Sequence, residues 1–211
     1  MNTNRIFLAK LLVSAAAVAS LLLLVVGGAV KPGYSHVANF ISELNATGTP
    51  LAETIGLFGF LPLGILVASF LIVAAPVARV DGWSRVGYWL LFSQPIAYIG
   101  VFLFPCDLGC PLQGSQSQQL HNLVALVTYI ACAVAFLLLS RSRSLASSAL
   151  GKAWFVGTGI VWLVGFFAMV EPGLAPWRGL LQRVLEVSLY MSLFVVAWRM
   201  LSTEDSSRSQ R

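Results

Sequence analysis

The chain has 211 residues, of which 58% are hydrophobic and only 10% charged, and it carries a net charge of +5. Its mean hydropathy is +0.84. Soluble domains carry about 25% charged residues, so this composition sets aside the aqueous globular class. Nucleic-acid binding goes with it, because that needs a folded basic surface.

A helical bilayer crossing takes about 20 mostly apolar residues. Six stretches meet that length: Phe7–Val30, Glu53–Val77, Val86–Phe104, His121–Ser140, Ala153–Val170 and Gly179–Leu201. Lipid cannot satisfy exposed backbone groups, and the alternating pattern of a barrel is absent. The expectation is an all-α bundle of six transmembrane helices, one domain over 1–201, with a polar, disordered cytoplasmic tail at 202–211.

In the first stretch Arg5 and Lys10 precede an apolar run from Leu11 through Val30. That run exceeds the 7–15 residues of a signal-peptide core, so a retained helix is expected. Its small residues Ala15, Ala16, Ala17 and Ser20 offer a face to a partner helix, in a second membrane protein or another copy of the chain. With the N-terminus inside, the inner segments hold Arg5, Lys10, Arg79, Arg85, Arg141, Arg143, Lys152, Arg199, Arg208 and Arg211, and the outer ones only Lys31, Arg178 and Arg183. This positive-inside bias predicts both termini in the cytoplasm. The net positive charge then reads as topology and as contact with anionic membrane lipids. Pro62 and Pro95 are positioned to kink the second and third helices.

The inner connections look like spacers; the outer ones are richer. The first, Lys31–Pro50, contains Ser35–Glu43 with Val37, Phe40, Ile41 and Leu44 spaced for a short interfacial helix ending near Gly48 and Pro50. Asn45-Ala-Thr47 matches a weak glycosylation pattern. In the second, Cys106 and Cys110 are four apart between Pro105 and Pro111. On an oxidising face such a pair predicts a disulfide that ties the turn. As a metal pair it lacks the other ligands, so no metal is expected. Cys132 lies among apolar residues as an inert core thiol. The third outer loop, Glu171–Gly179, leads to Gln182, Arg183 and Glu186, where the last two are spaced to pair.

Phe40-Ile-Ser-Glu-Leu-Asn-Ala-Thr-Gly48, Phe58-Gly-Phe-Leu-Pro62, Phe104-Pro-Cys-Asp-Leu-Gly-Cys-Pro111 and Leu120-His-Asn122 occur in that order. This succession resembles the six-span prokaryotic membrane proteins grouped as domain of unknown function 998. The resemblance extends to Leu181-Gln-Arg183 and departs at Asn45, where that family's pattern carries glycine. It implies the same six-span topology in a prokaryotic plasma membrane. It singles out Ser42, Glu43, Cys106, Asp107, Cys110, His121 and Arg183 without giving any of them a role.

Two readings of the outer residues stand side by side. In one, Glu43, Asp107, His121, Gln182, Arg183 and His36 form a polar site for a lipid or small amphiphile. In the other they are structural: Ser42 and Asp107 cap helices, and Glu43 pairs with Lys31 or Arg183. As an enzyme, the chain would act on a lipid with His121 as base, Asp107 or Glu43 orienting it, and Ser42 as a candidate nucleophile. No cofactor is expected.

Overall fold

The computed structural model describes the backbone of residues 2–208 and the side chains of 3–199. Every regular element among the described residues is helical. α1 is Asn2–Val30, α2 Ala52–Ala74, α3 Gly82–Leu103, α4 Gln116–Leu139, α5 Ala149–Val170 and α6 Arg178–Arg208. All six are long and apolar enough to cross a membrane. The side chains of the expected polar tail, 202–211, lie outside those described.

The helices begin earlier than hydropathy alone indicates. α4 gains the polar turn Gln116–Leu120 because Ser115 caps it, accepting from the Gln118 N–H at 3.2 Å. Both prolines act locally. Pro62 has no N–H to donate and its ring crowds the carbonyl four residues back, and the turn before it widens to a π-helical stretch at Gly56–Phe60. Pro95 acts in the same way on α3, which breaks between Gly82–Leu90 and Ser93–Leu103 with tightened bonds at Leu91 and Phe92.

Each helix packs on its successor, and α6 returns to α1, closing a ring. The first helix is therefore part of the bundle. Ala16 and Ser20 are buried in it, so part of the small-residue face packs within the chain, while Ala15 and Ala17 are half-buried. Between apolar helices in lipid, close approach and hydrogen bonds do the holding. A Cβ at Gly87 would lie 2.8 Å from the Ala135 carbonyl, and one at Gly159 2.9 Å from that of Ala133, so α4 is approached closely on both sides. Trp154 and Trp162 on α5 donate to Ser192 and Ser188 on α6, each at 3.0 Å. Phe60, Phe70, Phe136, Phe155 and Trp162 fill the centre.

Candidate functional site

The ends of the bundle differ. One carries the connections containing Arg79, Arg85, Arg141 and Arg143, and is here called the basic end. The other is roofed by the remaining three connections.

The roof is built on α6. The Leu180 N–H donates to the Val37 carbonyl at 3.0 Å, Arg178 to that of Ala38 at 3.0 Å, and Arg183 to that of Asn39 at 3.2 Å. Gln182 accepts from the Ile41 N–H at 2.6 Å. A Cβ on Gly179 would collide with the Asn39 carbonyl, so only glycine allows this approach. With those carbonyls committed to α6, the helix expected over Ser35–Glu43 does not form. The chain instead makes turns and a short 3-10 helix, Ile41–Asn45, all of it buried.

Glu43 organises this segment. Its carboxylate accepts from the Phe40 N–H at 2.9 Å and the Asn39 amide at 2.8 Å, and it pairs with Arg178 at 2.9 Å. Its cation is thus Arg178, stacked 4.4 Å over the Phe40 ring, and not the expected Lys31 or Arg183. Lys31 instead donates to the Leu44 carbonyl at 2.8 Å and to Thr49. Burial holds the Lys31 ammonium below its usual pKa, against the opposing pull of Glu43. Asn45 is buried and donates to the Val101 carbonyl at 2.7 Å, so the Asn-Ala-Thr pattern offers no accessible amide.

The second loop closes the roof. Cys106 and Cys110 form a disulfide, and the Cys106 carbonyl accepts from Thr47 at 2.8 Å. Asp107 accepts from the backbone and hydroxyl of Ser115, each at 2.8 Å, and these bonds hold its carboxyl below the usual aspartate range. Gln118, fully buried, accepts from the Asp107 N–H at 2.7 Å and donates to Asn122 at 2.8 Å.

His121 is buried where these parts meet. Its Nδ1 lies 2.9 Å from the Phe104 carbonyl, which fixes that nitrogen as the donor and leaves Nε2 as an acceptor. Neither Asp107 nor Glu43 is its orienting partner: one is held by Ser115, the other by Arg178. One nitrogen of His121 and the sulfurs of Cys106 and Cys110 lie within 4.8 Å of one another, a set suited to a metal only if the disulfide were opened. Ser42 is buried with its hydroxyl 3.6 Å from the Cys110 sulfur. His36 is elsewhere, against Gly28 and 3.0 Å from Arg183, so the two histidines do not converge. Arg183 donates to Tyr34 at 2.6 Å and makes no pair with Glu186. Glu186 accepts from Tyr98 at 2.5 Å.

Under the roof, between α4, α5 and α6, is a cavity of about 250 Å³. Ser42, His121, Asn122, Arg178 and Gln182 give it polar groups; Phe166, Met169, Val170 and Ala175 are among its apolar ones. Of the expected site residues it brings together Ser42, His121, Gln182 and the Cys110 edge of the disulfide. Asp107, Arg183 and His36 brace the roof outside it, and Glu43 acts through Arg178. Sequence reasoning missed Arg178, Gln118, Asn122 and Tyr129. The spacing of Gln118 and Asn122, one helical turn apart, was the one available signal.

No curated protein and no solved structure matches the chain. A family profile does match, over residues 14–199, nearly the whole bundle. The chain is a multi-pass membrane protein and belongs to the family described as protein of unknown function DUF998.

Proposed function

We propose that the roofed cavity binds a lipid or small amphiphile, its head beneath the roof and its chain along α5 and α6. The supporting observation is the mixed lining: a few hydrogen-bonding groups from the roof, α4 and α6 set among apolar side chains of α5 and the roof. Ligand sites generally combine an apolar wall with a few fixed polar groups, in volumes of about 300–1,000 Å³. At about 250 Å³ the cavity suits one chain better than two. Val170, 41% exposed, lies at its margin, where a chain would enter.

The roofed end faces away from the cytoplasm of a prokaryotic plasma membrane in this reading. The support is charge: Arg79, Arg85, Arg141, Arg143 and Lys152 gather at the opposite end. An oxidising outer compartment also suits a disulfide in the roof.

Native mass spectrometry of protein released from a mild detergent tests the binding. Wild type should retain or take up a lipid-sized mass, and Val170→Trp, which fills the mouth from an exposed position, should not. A wild type that stays bare even with added lysolipid, or a Val170→Trp variant that binds equally, overturns the reading.

A further inference from the structure

The ring of helices encloses a second, smaller cavity of about 50 Å³ directly below the roof. At about 15 Å³ of occupied volume per water it has room for roughly three. Ser42, His121, Ala125, Tyr129 and Gln182 line both cavities, so the wall between them is one side chain thick. Gln182 is the strut across that wall, holding the Ile41 N–H at one end and donating to the Tyr129 hydroxyl at 2.9 Å.

Two groups in this chamber are incompletely satisfied. Glu186, 8% exposed and about two turns into α6 from the roofed end, has Tyr98 as its hydrogen-bond donor, and among the described residues no basic side chain lies within ion-pair distance. Gln94, 2% exposed and beside the break in α3, lines the chamber and has a buried amide nitrogen with no hydrogen-bond partner. A carboxylate at this depth is expensive unless a counter-charge accompanies it, and such residues mark functional sites in membrane proteins.

We propose that the chamber receives the primary ammonium group of a single-chain cationic amphiphile, with Glu186 as its counter-ion. This rests on the amphiphile reading above and names the head group. An ammonium brings three donors and no acceptor. Glu186 and the Tyr129 hydroxyl oxygen accept two of them, and the amide oxygen of Gln94, which lines the same chamber, accepts the third. Phe60, Tyr98 and Tyr129 surround the position with aromatic rings, whose faces attract a cation. A carboxylate head would meet the Glu186 charge, a hydroxyl would satisfy one acceptor, and a trimethylammonium would exceed the space.

A free alkylamine and the aminoethyl end of a lysolipid carry the same group. Native mass spectrometry titrations therefore compare dodecylammonium, dodecanol, dodecanoate and a lauroyl lysophosphatidylethanolamine. Wild type should bind dodecylammonium about tenfold tighter than dodecanol, the scale of one charge-assisted bond. Glu186→Gln should lose that preference while still binding dodecanol. If Glu186→Gln does not fold, Gln94→Leu should narrow the preference. Tighter binding of the lysolipid than of dodecylammonium assigns the source to a lipid head; the reverse order assigns it to a free amine. Equal affinity of wild type for ammonium and alcohol, or an undiminished preference in both variants, overturns the inference and leaves amphiphile binding standing. No binding of any of the four overturns both.

Discussion

At the roofed end, the segment after α1 gives three successive carbonyls and one amide to a helix about 140 residues further along. At the basic end most polar bonds close within a turn. Ser84 donates back to Asp81 at 2.7 Å, and Ser148 accepts from the Gly151 N–H at 3.0 Å. One long-range bond of note there runs from Ser144 to the Arg79 carbonyl at 2.9 Å. Local caps end helices and could be exchanged for others. The cross-chain bonds fix where Ser42, Arg178 and Gln182 stand relative to His121, and a binding site needs that kind of constraint.

Breaking one bond at each end tests the contrast. Arg178→Ala removes the cation from buried Glu43 and leaves the Ala38 carbonyl without its donor. Stripping one partner from a buried pair costs about 3 kcal/mol or more, and Arg178 is partly exposed, which favours the lower figure. Ser144→Ala should cost about 1 kcal/mol or less. Denaturation midpoints in detergent compare the two, and equal losses would refute the contrast. Gly179→Ala should follow at about 2 kcal/mol, because its methyl pushes against backbone and not against a movable side chain. It should also weaken amphiphile retention, whereas Gly157→Ala, whose methyl would meet nothing within 4 Å, should leave both unchanged.

The bundle was legible because apolar runs report lipid exposure directly, and the tight Cys106–Cys110 spacing reported its own disulfide. Individual partners were not legible. Glu43 had three outer cations within reach, and only the packing of Gly179 against Asn39 selects Arg178. The Ser35–Glu43 segment carries a helical pattern, yet its carbonyls go to α6. Tyr98 reads as one more apolar residue in α3, and nothing in its neighbourhood marks it as the donor to Glu186, 88 positions later. Periodicity reports which face is buried; it is silent on which distant chain arrives there.

The disulfide sharpens the comparison at intermediate scale. It closes a loop of separation four, so removing it releases little chain entropy, about 2 kcal/mol on the loop-closure account. Cys110 and His121 line the cavity, so the larger consequence of Cys106→Ala with Cys110→Ala should be in binding. Ligand retention should fall while the melting point drops by only a few degrees. A large melting shift with intact retention would place the disulfide among the global supports.

The smallest effect expected is a pH dependence confined to the roof. Hydrogen bonds from Ser115 hold the Asp107 carboxyl below its ordinary pKa, so the folded state binds its proton less readily than the unfolded state. Its stabilisation is full above the ordinary aspartate value, about pH 4, and is lost as pH falls through the lower folded value. His36 shifts in the same direction, through partial burial and then the nearby Arg183 charge, and its loss begins below the ordinary histidine value of about 6.5. The two windows separate in a His36→Asn background. There the stability of the Asp107-containing protein should decline on acidification below about pH 4, and an added Asp107→Asn substitution should flatten that limb. A limb that persists unchanged without Asp107 would show that the loop turn does not depend on its carboxylate.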